Sequence, residues 1–385
     1  MNTNQEVKKI LVDKIKFFEC PVCHDPNQDL IICDEYLKCN ACNESFPIIS
    51  GIPHFSKQPD NIQKGDSSLA VYYIAKLMRI AIGWPLWFLY ILTMSIKEKR
   101  NFFSANQKYN HYVLSWLNYD WVSNVPYNLY LKSMEVNLFS NLAIKGPILE
   151  IGGGGGDTSR LSFAGRRIDI DCEYYVSNIY NQMNNGANVY ECTDLHIAGS
   201  VYNLPHRDNS FNTVVMVHII DHLTDIDSAL KEIARVLRPG GELVFSTYSS
   251  HIFDNMPIYK LLEKFNKNAA IKYRNWKCYR HYRFKGFAPY INSSPDDATG
   301  QNLFTSTEWN VKGNHYNLNL ISHVPFNSGI IFMSLMDYFH IGYSKYLKSP
   351  VQRLISHLVD KELSGNVVID ENSAANIFLI FRKAA

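Results

Sequence analysis

Four cysteines near the start of the chain stand in two Cys-x-x-Cys pairs separated by 15 residues. The predicted metal ligands are Cys20, Cys23, Cys39 and Cys42. Each pair can place two thiolates on one turn of backbone, and the two turns can close a tetrahedral site around Zn²⁺. A shell of four sulfurs leaves no position for water, so we expect a structural zinc on which the segment folds. His24 and Cys33 are alternative ligands, beside and between the pairs.

Five consecutive glycines follow a short apolar strand in the segment PILEIGGGGGDTSRLSF. Asp157, Thr158 and Ser159 come next, and residues of these types commonly start helices. A tight turn of this kind lets the backbone approach a ligand closely and points free amides at a polar or anionic group. The spacing departs from GxGxxG, which argues against a nicotinamide dinucleotide, and the missing lysine excludes a phosphate loop for nucleoside triphosphates.

Hydrophobic periodicity predicts the elements that position this turn. A buried strand is expected over 212–218, a helix after Asp225 as its cap, and a second strand over 242–247. One face of the helix is apolar, formed by Ile226, Leu230, Ile233, Ala234 and Leu237. Pro239, Gly240 and Gly241 are expected to stop the helix. The β-α-β alternation indicates a doubly wound sheet, in which ligands bind at the carboxyl ends of the strands.

The residues Glu150, Gly152, Gly154 and Gly156 resemble the ExGxGxG pattern of class I S-adenosylmethionine-dependent methyltransferases. Residues 199–248 are similar to the methyltransferase type 11 enzymes of quinone biosynthesis, which carry GDAxxLPF, DxSFD, EH and EIxRVLKPGG. The resemblance covers about residues 145–250, and the terminal ANIFLIFRK resembles the last strand of the same fold. It implies an α/β, doubly wound Rossmann-like methyltransferase sheet and an enzyme that uses S-adenosylmethionine.

The resemblance also implies which residues contact the cofactor. Glu150 and the three glycines of the motif would cradle its methionine part. The family acid that holds the ribose aligns with Asn178, or with Asp171 if the second strand lies earlier. The acid that accepts from the adenine amino group aligns with Ser200, and backbone groups near Val201 are placed to contact the adenine edge.

Several carboxylates of the family pattern are neutral or shortened in this chain. Asn178, Ser200 and Asn212 stand at three acidic positions, and the EH pair is Asp221 and His222. Each lost charged hydrogen bond is worth about 1.5 to 3 kcal/mol, so we expect weakened cofactor binding. A non-catalytic scaffold built from a degenerate cofactor domain is therefore the alternative function.

Methyl transfer from a sulfonium is an in-line displacement, so the main task is to hold a nucleophile near the methyl carbon and to exclude water. A base is needed only for hydroxyl or carbon acids. Candidates for the base or for substrate contact follow the fourth and fifth strands: His218, Asp221, His222, Tyr248 and His251. His218 is also a candidate cofactor contact, and His222 is favoured as a packing residue.

The segment after Cys42, NESFPIISGIPHF, ends a strand in a turn. Residues 17–55 resemble the small zinc-ribbon activator of tRNA and protein methyltransferases, whose tail has YPI followed by GIP. In that family the ribbon is a platform for a partner protein. With both modules on one chain, we favour a ribbon that packs against its own neighbouring domain.

Residues 80–96 form an uncharged apolar segment with basic residues on both sides. Seventeen residues is the short limit for a membrane span, and Pro85 would kink such a helix. We disfavour a single span, because it would place the zinc ribbon and the cofactor domain on opposite sides of the membrane, whereas both need the cytosol. The remaining interpretations are a buried helix, which we favour, a lid over an apolar substrate, and a segment at the membrane interface with Trp84, Trp87 and Tyr90 at headgroup depth.

A long insertion at 251–345 follows the fifth strand and contains KYRNWKCYRHYRFKGF at 272–287. Its seven basic residues alternate with aromatics, which suits either a clamp for a phosphate, base or sugar or a solvated surface. Together with the apolar segment, it favours a small-molecule acceptor or a lipid- or glycan-linked one. RNA is the rival acceptor, although a net charge of +2 argues against broad contact with a nucleic-acid backbone.

The composition limits the class of protein and the number of its domains. The 385 residues, 46% hydrophobic and 19% charged, indicate a globular chain of two to three domains. We expect a zinc-ribbon module at 1–58, an apolar helical connector or lid at 59–125, the methyltransferase core at 126–250, a helical or irregular substrate-side insertion at 251–345 and a closing helix and strand at 346–385.

Eight cysteines are too few for a disulfide scaffold, and the amino terminus lacks a secretory signal. The expected location is cytoplasmic, with peripheral contact at the inner face of a membrane through 80–96 as the alternative.

Overall fold

In the part of the chain that it describes, the computed structural model contains two β-sheets and several helices. It describes residues 11–49, 52–55, 134–135, 137–139, 141–152, 174–177, 195–223, 225–251, 257–273, 302–327, 360–362, 364 and 369–385. The predicted connector at 59–125, with its apolar segment 80–96, lies outside these ranges, as do residues 274–287 of the basic insertion. None of the helices in the described ranges is long and apolar enough to cross a bilayer.

The amino-terminal sheet is a small antiparallel ribbon. Its strands, paired in chain order, are β1 (Leu30–Ile32), β2 (Tyr36–Cys39), β3 (Ser45–Ile49) and β4 (Ile52–Pro53). Side chains alternate along the strands, which buries Leu37, Cys39 and Phe46 and leaves Tyr36 and Ile49 exposed. One of the predicted zinc ligands therefore ends a strand of the ribbon.

The larger sheet has seven strands. They are β5 (Ile148–Ile151), β6 (Tyr174–Ser177), β7 (Leu195–Ile197), β8 (Phe211–Val217), β9 (Leu237–Tyr248), β10 (Leu318–Phe326) and β11 (Asn376–Lys383). Their order across the sheet is β10-β11-β9-β8-β5-β6-β7. The five strands from β9 to β7 are parallel, and β11 runs antiparallel between β9 and β10. This confirms the predicted Rossmann-like sheet, and ANIFLIFRK is its antiparallel strand.

The longer helices in the described ranges are α1 (Ile226–Val236), α2 (Pro257–Phe265) and α3 (Ser306–Asn314). Asp225 caps α1 as predicted, because its carboxylate accepts a hydrogen bond from the Ser228 amide at 3.0 Å. The apolar face of α1 is buried and packs on β9. Thr305 and Glu308 form a capping box at the start of α3.

One boundary differs from the prediction that Pro239, Gly240 and Gly241 stop the helix. The helix ends at Val236, and Leu237 is already extended with φ −72° and ψ 138°. Leu237 pairs with the start of β8, and the next paired residue of β9 is Glu242. Residues 238–241 therefore loop out of the ladder, and Gly240 takes a φ of +76°. Pairing with β8 ends the helix before the Pro-Gly-Gly sequence is reached.

The ribbon and the large sheet share one hydrophobic core. Phe18, which precedes the first cysteine pair, is fully buried and stacks on Phe55 with 5.5 Å between ring centroids. His206 lies between Phe18 and Phe211, with a centroid distance of 4.9 Å to each ring. Burial lowers the pKa of His206 to about 3, so it packs as a neutral ring. The ribbon therefore packs against the neighbouring domain of its own chain.

The end of β4 also covers the outer edge of β7. The Phe55 amide donates to the Ala198 carbonyl at 2.7 Å, and the Ala198 amide donates to the Pro53 carbonyl at 2.9 Å. An uncovered edge strand presents unpaired amides that invite association with another chain. The ribbon thus closes part of this edge.

Arg235, near the end of α1, binds three carboxylates. Its Nη1 lies 2.8 Å from Glu19 Oε1 and 2.9 Å from Asp208 Oδ1, and its Nη2 lies 2.9 Å from Glu232 Oε2. Burial alone would lower the pKa of Arg235, but these carboxylates, Glu232 first among them, raise it above its ordinary value. Glu19 is only 4% exposed. The pair of Glu19 and Arg235 therefore crosses the interface where water has little access.

Candidate functional site

The parallel strands of the large sheet end together at one edge. Ile151, the last residue of β5, pairs with Met216 of β8, and Met216 pairs with Phe245 of β9. Sheets of this type bind ligands beyond the carboxyl ends of their strands. Gly152, His218 and Tyr248 are predicted site residues that lie at the ends of β5, β8 and β9 on this edge.

Gly152 is the first residue beyond β5 and opens the predicted turn. Its φ is +74°, a left-handed conformation that residues with a side chain rarely adopt. A Cβ added there would lie 2.5 Å from Cγ1 of Ile219. The glycine is therefore required both by its conformation and by the close approach of the chain that follows β8. Gly154 and Gly156 lie outside the described residues, so their roles stay predictions.

The position of β6 bears on the predicted ribose contact. Because β6 spans Tyr174–Ser177, Asn178 follows this strand in the sequence and Asp171 precedes it. The strand position favours Asn178, since contacts are expected at the carboxyl end. Both residues lie outside the described ranges, and the assignment stays a prediction. Glu150 lies within β5 and is 1% exposed.

His218 follows β8, and a carboxylate that sequence reasoning missed lies beside it. Its Nε2 is 2.7 Å from Oε1 of Glu135, in a close contact without the angle of a linear hydrogen bond. The Ser246 hydroxyl donates to the same oxygen at 2.6 Å. The His218 ring is tilted against Tyr248, with 5.0 Å between centroids. Glu135 is 1% exposed, so its carboxylate is shielded from water.

The other predicted catalytic residues lie in the same region of the chain. Asp221 is fully buried in a 3-10 turn, and its backbone carbonyl accepts from the Asn302 amide at 2.7 Å. His222 belongs to the same turn, but its side chain is not among the described groups. His251 comes shortly after β9 and is half-buried. The catalytic roles of these residues stay predictions.

Asn212 does not belong to the site, which corrects one inference from the sequence. It lies at the amino end of β8, opposite the edge that carries Gly152. Its Nδ2 donates to the Gly146 carbonyl, and its Oδ1 accepts from Arg238 Nη1 at 3.4 Å. The missing carboxylate at this position therefore affects contacts within the fold and should not weaken cofactor binding.

Ser200 and Val201 lie in a turn shortly after β7, at the same edge of the sheet. The Tyr202 amide donates to Ser200 Oγ at 3.3 Å, and the Asn203 amide donates to the Ser200 carbonyl at 3.2 Å. The Ser200 hydroxyl keeps its proton and a second lone pair for another partner. The hydroxyl and the main chain near Val201 are the groups that this turn can offer to an adenine.

The sulfurs of the four predicted zinc ligands all lie within 4.8 Å of one another. Cys20 Sγ is 3.6 Å from Cys42 Sγ, and Cys23 Sγ is 3.6 Å from Cys39 Sγ. Four Zn–S bonds of about 2.3 Å in a tetrahedron give S···S edges of about 3.8 Å, so the thiols fit a zinc ion. Burial raises the pKa of the Cys20 thiol to about 12. A thiolate there needs the stabilisation that a metal ion supplies.

The two alternative ligands take other positions. His24 Nδ1 lies 2.7 Å from Glu19 Oε1, and its Nε2 lies 2.7 Å from Asn203 Oδ1. Cys33 is not part of the four-sulfur group found among the described residues. The geometry therefore favours the four cysteines over His24 and Cys33.

Comparison with known proteins agrees with the fold. A family model described as "Methyltransferase domain" matches residues 149–245. The ubiquinone/menaquinone biosynthesis C-methyltransferase of Vibrio campbellii is 28% identical over 180 residues, which is 44% of this chain and 66% of that protein. The protein of the same name from Haemophilus ducreyi is 38% identical over 77 residues, covering 20% of this chain and 29% of that protein. The chain thus spans less than two thirds of each relative's length.

Among solved structures, a SAM-dependent methyltransferase of Thermotoga maritima is 16% identical, with a TM-score of 0.39. The match covers 72% of this chain and 97% of that one. The matched segment 149–245 contains almost all of the five parallel strands, β5 to β9, whose carboxyl ends form the edge described above. This part is a methyltransferase domain of the class I, S-adenosylmethionine-dependent type.

Proposed function

We propose that the chain transfers a methyl group from S-adenosylmethionine to a small-molecule or lipid-linked acceptor. The observation that carries the proposal is the junction where Gly152 leaves β5 in contact distance of Ile219, which follows β8. The matched family segment, 149–245, contains both sides of this junction. The curated relatives are named for C-methylation in quinone biosynthesis, which supports an acceptor of that general kind.

The residues at the junction suit this cofactor. A glycine with positive φ and no room for a side chain lets the backbone after β5 approach a ligand. The turn at Ser200 and Val201 would contact the adenine, and Asn178 would contact the ribose. S-adenosylmethionine supplies an electrophilic methyl group when bound. The task of the chain is to hold the acceptor in line with that group and to exclude water.

We assign to His218 the role of accepting a proton from the acceptor, with Glu135 as its positioning residue. Glu135 lies against Nε2 and is itself held by Ser246. A buried carboxylate beside one ring nitrogen of a histidine helps to orient the ring. Both ring nitrogens are buried and make no hydrogen bond among the described residues, but Nε2 is occupied by its contact with Glu135, which leaves Nδ1. It is therefore the atom we assign to the acceptor's proton when the acceptor is a hydroxyl or carbon acid.

Replacing Gly152 by asparagine should weaken cofactor binding by at least about tenfold, a loss of about 1.4 kcal/mol. Asparagine tolerates a positive φ, so the effect comes from the collision with Ile219. Gly240→Asn is the matched control, because Gly240 has a φ of +76° and nothing within 4 Å of an added Cβ. Isothermal titration calorimetry with S-adenosylmethionine measures both variants.

The wild type and Gly240→Asn should give saturable heat of similar affinity. A wild-type chain without saturable heat at millimolar cofactor would refute the enzymatic function and favour the scaffold alternative. Equal affinities for the two asparagine variants would refute the placement of the cofactor at this junction.

Incubation with methyl-tritiated S-adenosylmethionine and a fractionated cell extract tests the acceptor class and the base together. We expect label in the small-molecule or organic-solvent fraction, whereas label in RNA would favour the rival acceptor. His218→Asn should reduce transfer by about 100-fold, the usual contribution of a general base. Glu135→Gln should reduce transfer less. Unchanged transfer in His218→Asn, or a loss explained by weaker cofactor binding in calorimetry, would remove His218 as the base.

We also propose that the four-cysteine group binds one structural Zn²⁺. Cys23→Ser should lose the metal and lower the thermal unfolding midpoint, because three thiolates leave the tetrahedral site incomplete and the binding free energy of the metal contributes to folding. Cys33→Ser is the matched control within the ribbon and should keep its zinc, since Cys33 lies outside the four-sulfur group. Metal content by mass spectrometry checks both. A purified wild type that holds no zinc, or a Cys23→Ser variant that retains it fully, would contradict the site.

A further inference from the structure

The turn at 200–203 is held by the first zinc knuckle through a single carboxamide. The Asn203 Nδ2 group donates to the Pro21 carbonyl, between the first two cysteines. His24 Nε2 lies 2.7 Å from the Asn203 Oδ1 atom, which accepts from it. Both ends of the carboxamide are therefore engaged by the same five-residue segment of the ribbon. The knuckle itself is closed by a hydrogen bond from the His24 amide to the Cys20 carbonyl at 2.9 Å.

The Asn203 backbone closes the turn that the side chain anchors. Its amide donates to the Ser200 carbonyl at 3.2 Å, so side chain and main chain of one residue connect the knuckle to Ser200. The Tyr202 amide in turn bonds to Ser200 Oγ at 3.3 Å. Movement of Asn203 would therefore change the position of the groups at Ser200 and Val201.

The ribbon also contacts the residues on both sides of the turn at 200–203. The Glu19 amide donates to the Pro205 carbonyl at 3.2 Å, and the Arg207 amide donates to the Phe17 carbonyl at 3.0 Å. Before the turn, Ala198 exchanges hydrogen bonds with the segment at 53–55. The ribbon thus lines residues 198–207, which form the end of the strand and the turn after it. The zinc knuckle supplies the side-chain contacts at the turn itself.

We propose that Asn203 is a positioning residue through which the zinc knuckle sets the adenine contact of the cofactor site. The proposal rests on the function proposed above, because it assigns the turn at 200–203 to adenine. The first knuckle of the ribbon then influences which base the cofactor site of the same chain prefers. A ribbon that served only as a fold-stabilising appendage would affect all ligands of the site equally.

Calorimetry with two ligands separates these cases. S-adenosylhomocysteine and S-inosylhomocysteine have nearly the same size and charge, but deamination exchanges the donor and acceptor on the base edge. The variant is Asn203→Ala, and the control is Asn310→Ala. Asn310 Oδ1 accepts from the Leu320 amide of β10, at the opposite edge of the sheet from β7. Asn203→Asp keeps the size and the bond from His24, and serves if the alanine variant does not fold.

The wild type and Asn310→Ala should prefer the adenosyl ligand. Asn203→Ala should bind it about tenfold more weakly, a loss comparable to one or two hydrogen bonds. Its affinity for the inosyl ligand should fall less, so that the preference shrinks, while zinc content stays at the wild-type value. Unchanged affinity and preference in Asn203→Ala, or an equal loss for both ligands, would overturn the positioning role. A wild type that binds neither ligand would instead refute the proposed function, and this proposal with it.

Discussion

The ion pair between Glu19 and Arg235 joins the ribbon to the methyltransferase sheet where water has little access. Glu19 lies between Arg235 of α1 and His24 of the ribbon, and a buried charge that loses a partner costs about 3 to 5 kcal/mol. The backbone beside Glu19 is paired with the segment before β8, and Phe18 fills the space between the two sheets. We infer that apolar packing supplies most of the stability of this interface, whereas the charged pair sets its register.

This register explains how the four-cysteine group and the carboxyl edge of the large sheet come to share one structure. With Glu19 fixed, the first cysteine pair meets the turn after β7, and the end of β4 lies along Ala198. The junction of Gly152 and Ile219 belongs to the centre of the same sheet, where β5 and β8 are neighbours. The ribbon thus supports the carboxyl edge from its β7 side, while the base that we assign, His218, lies on the β8 side.

The features that sequence patterns could predict are those encoded within a short stretch of chain. The grouping of four cysteines, the glycine that follows β5 and the valine-rich strand β8 each follow from local spacing or periodicity. Glu135 and Asn203 carried no such signal, because each is a single polar residue whose partner lies far away in sequence. The end of α1 at Val236 was not predicted for a related reason: Leu237 pairs with β8, and this tertiary contact makes the backbone extended before the Pro-Gly-Gly sequence.

We infer that the ribbon and the methyltransferase domain unfold as one cooperative structure joined at Glu19 and Arg235. Equilibrium unfolding of the zinc-loaded chain, followed by circular dichroism and by zinc release, measures this cooperativity. The two transitions should coincide, and Arg235→Met should lower the free energy of unfolding by about 3 kcal/mol. Arg382→Met, which removes an exposed pair with Glu242, should lower it by less than about 1 kcal/mol. Zinc release in a separate, earlier transition, or equal effects of the two substitutions, would contradict it.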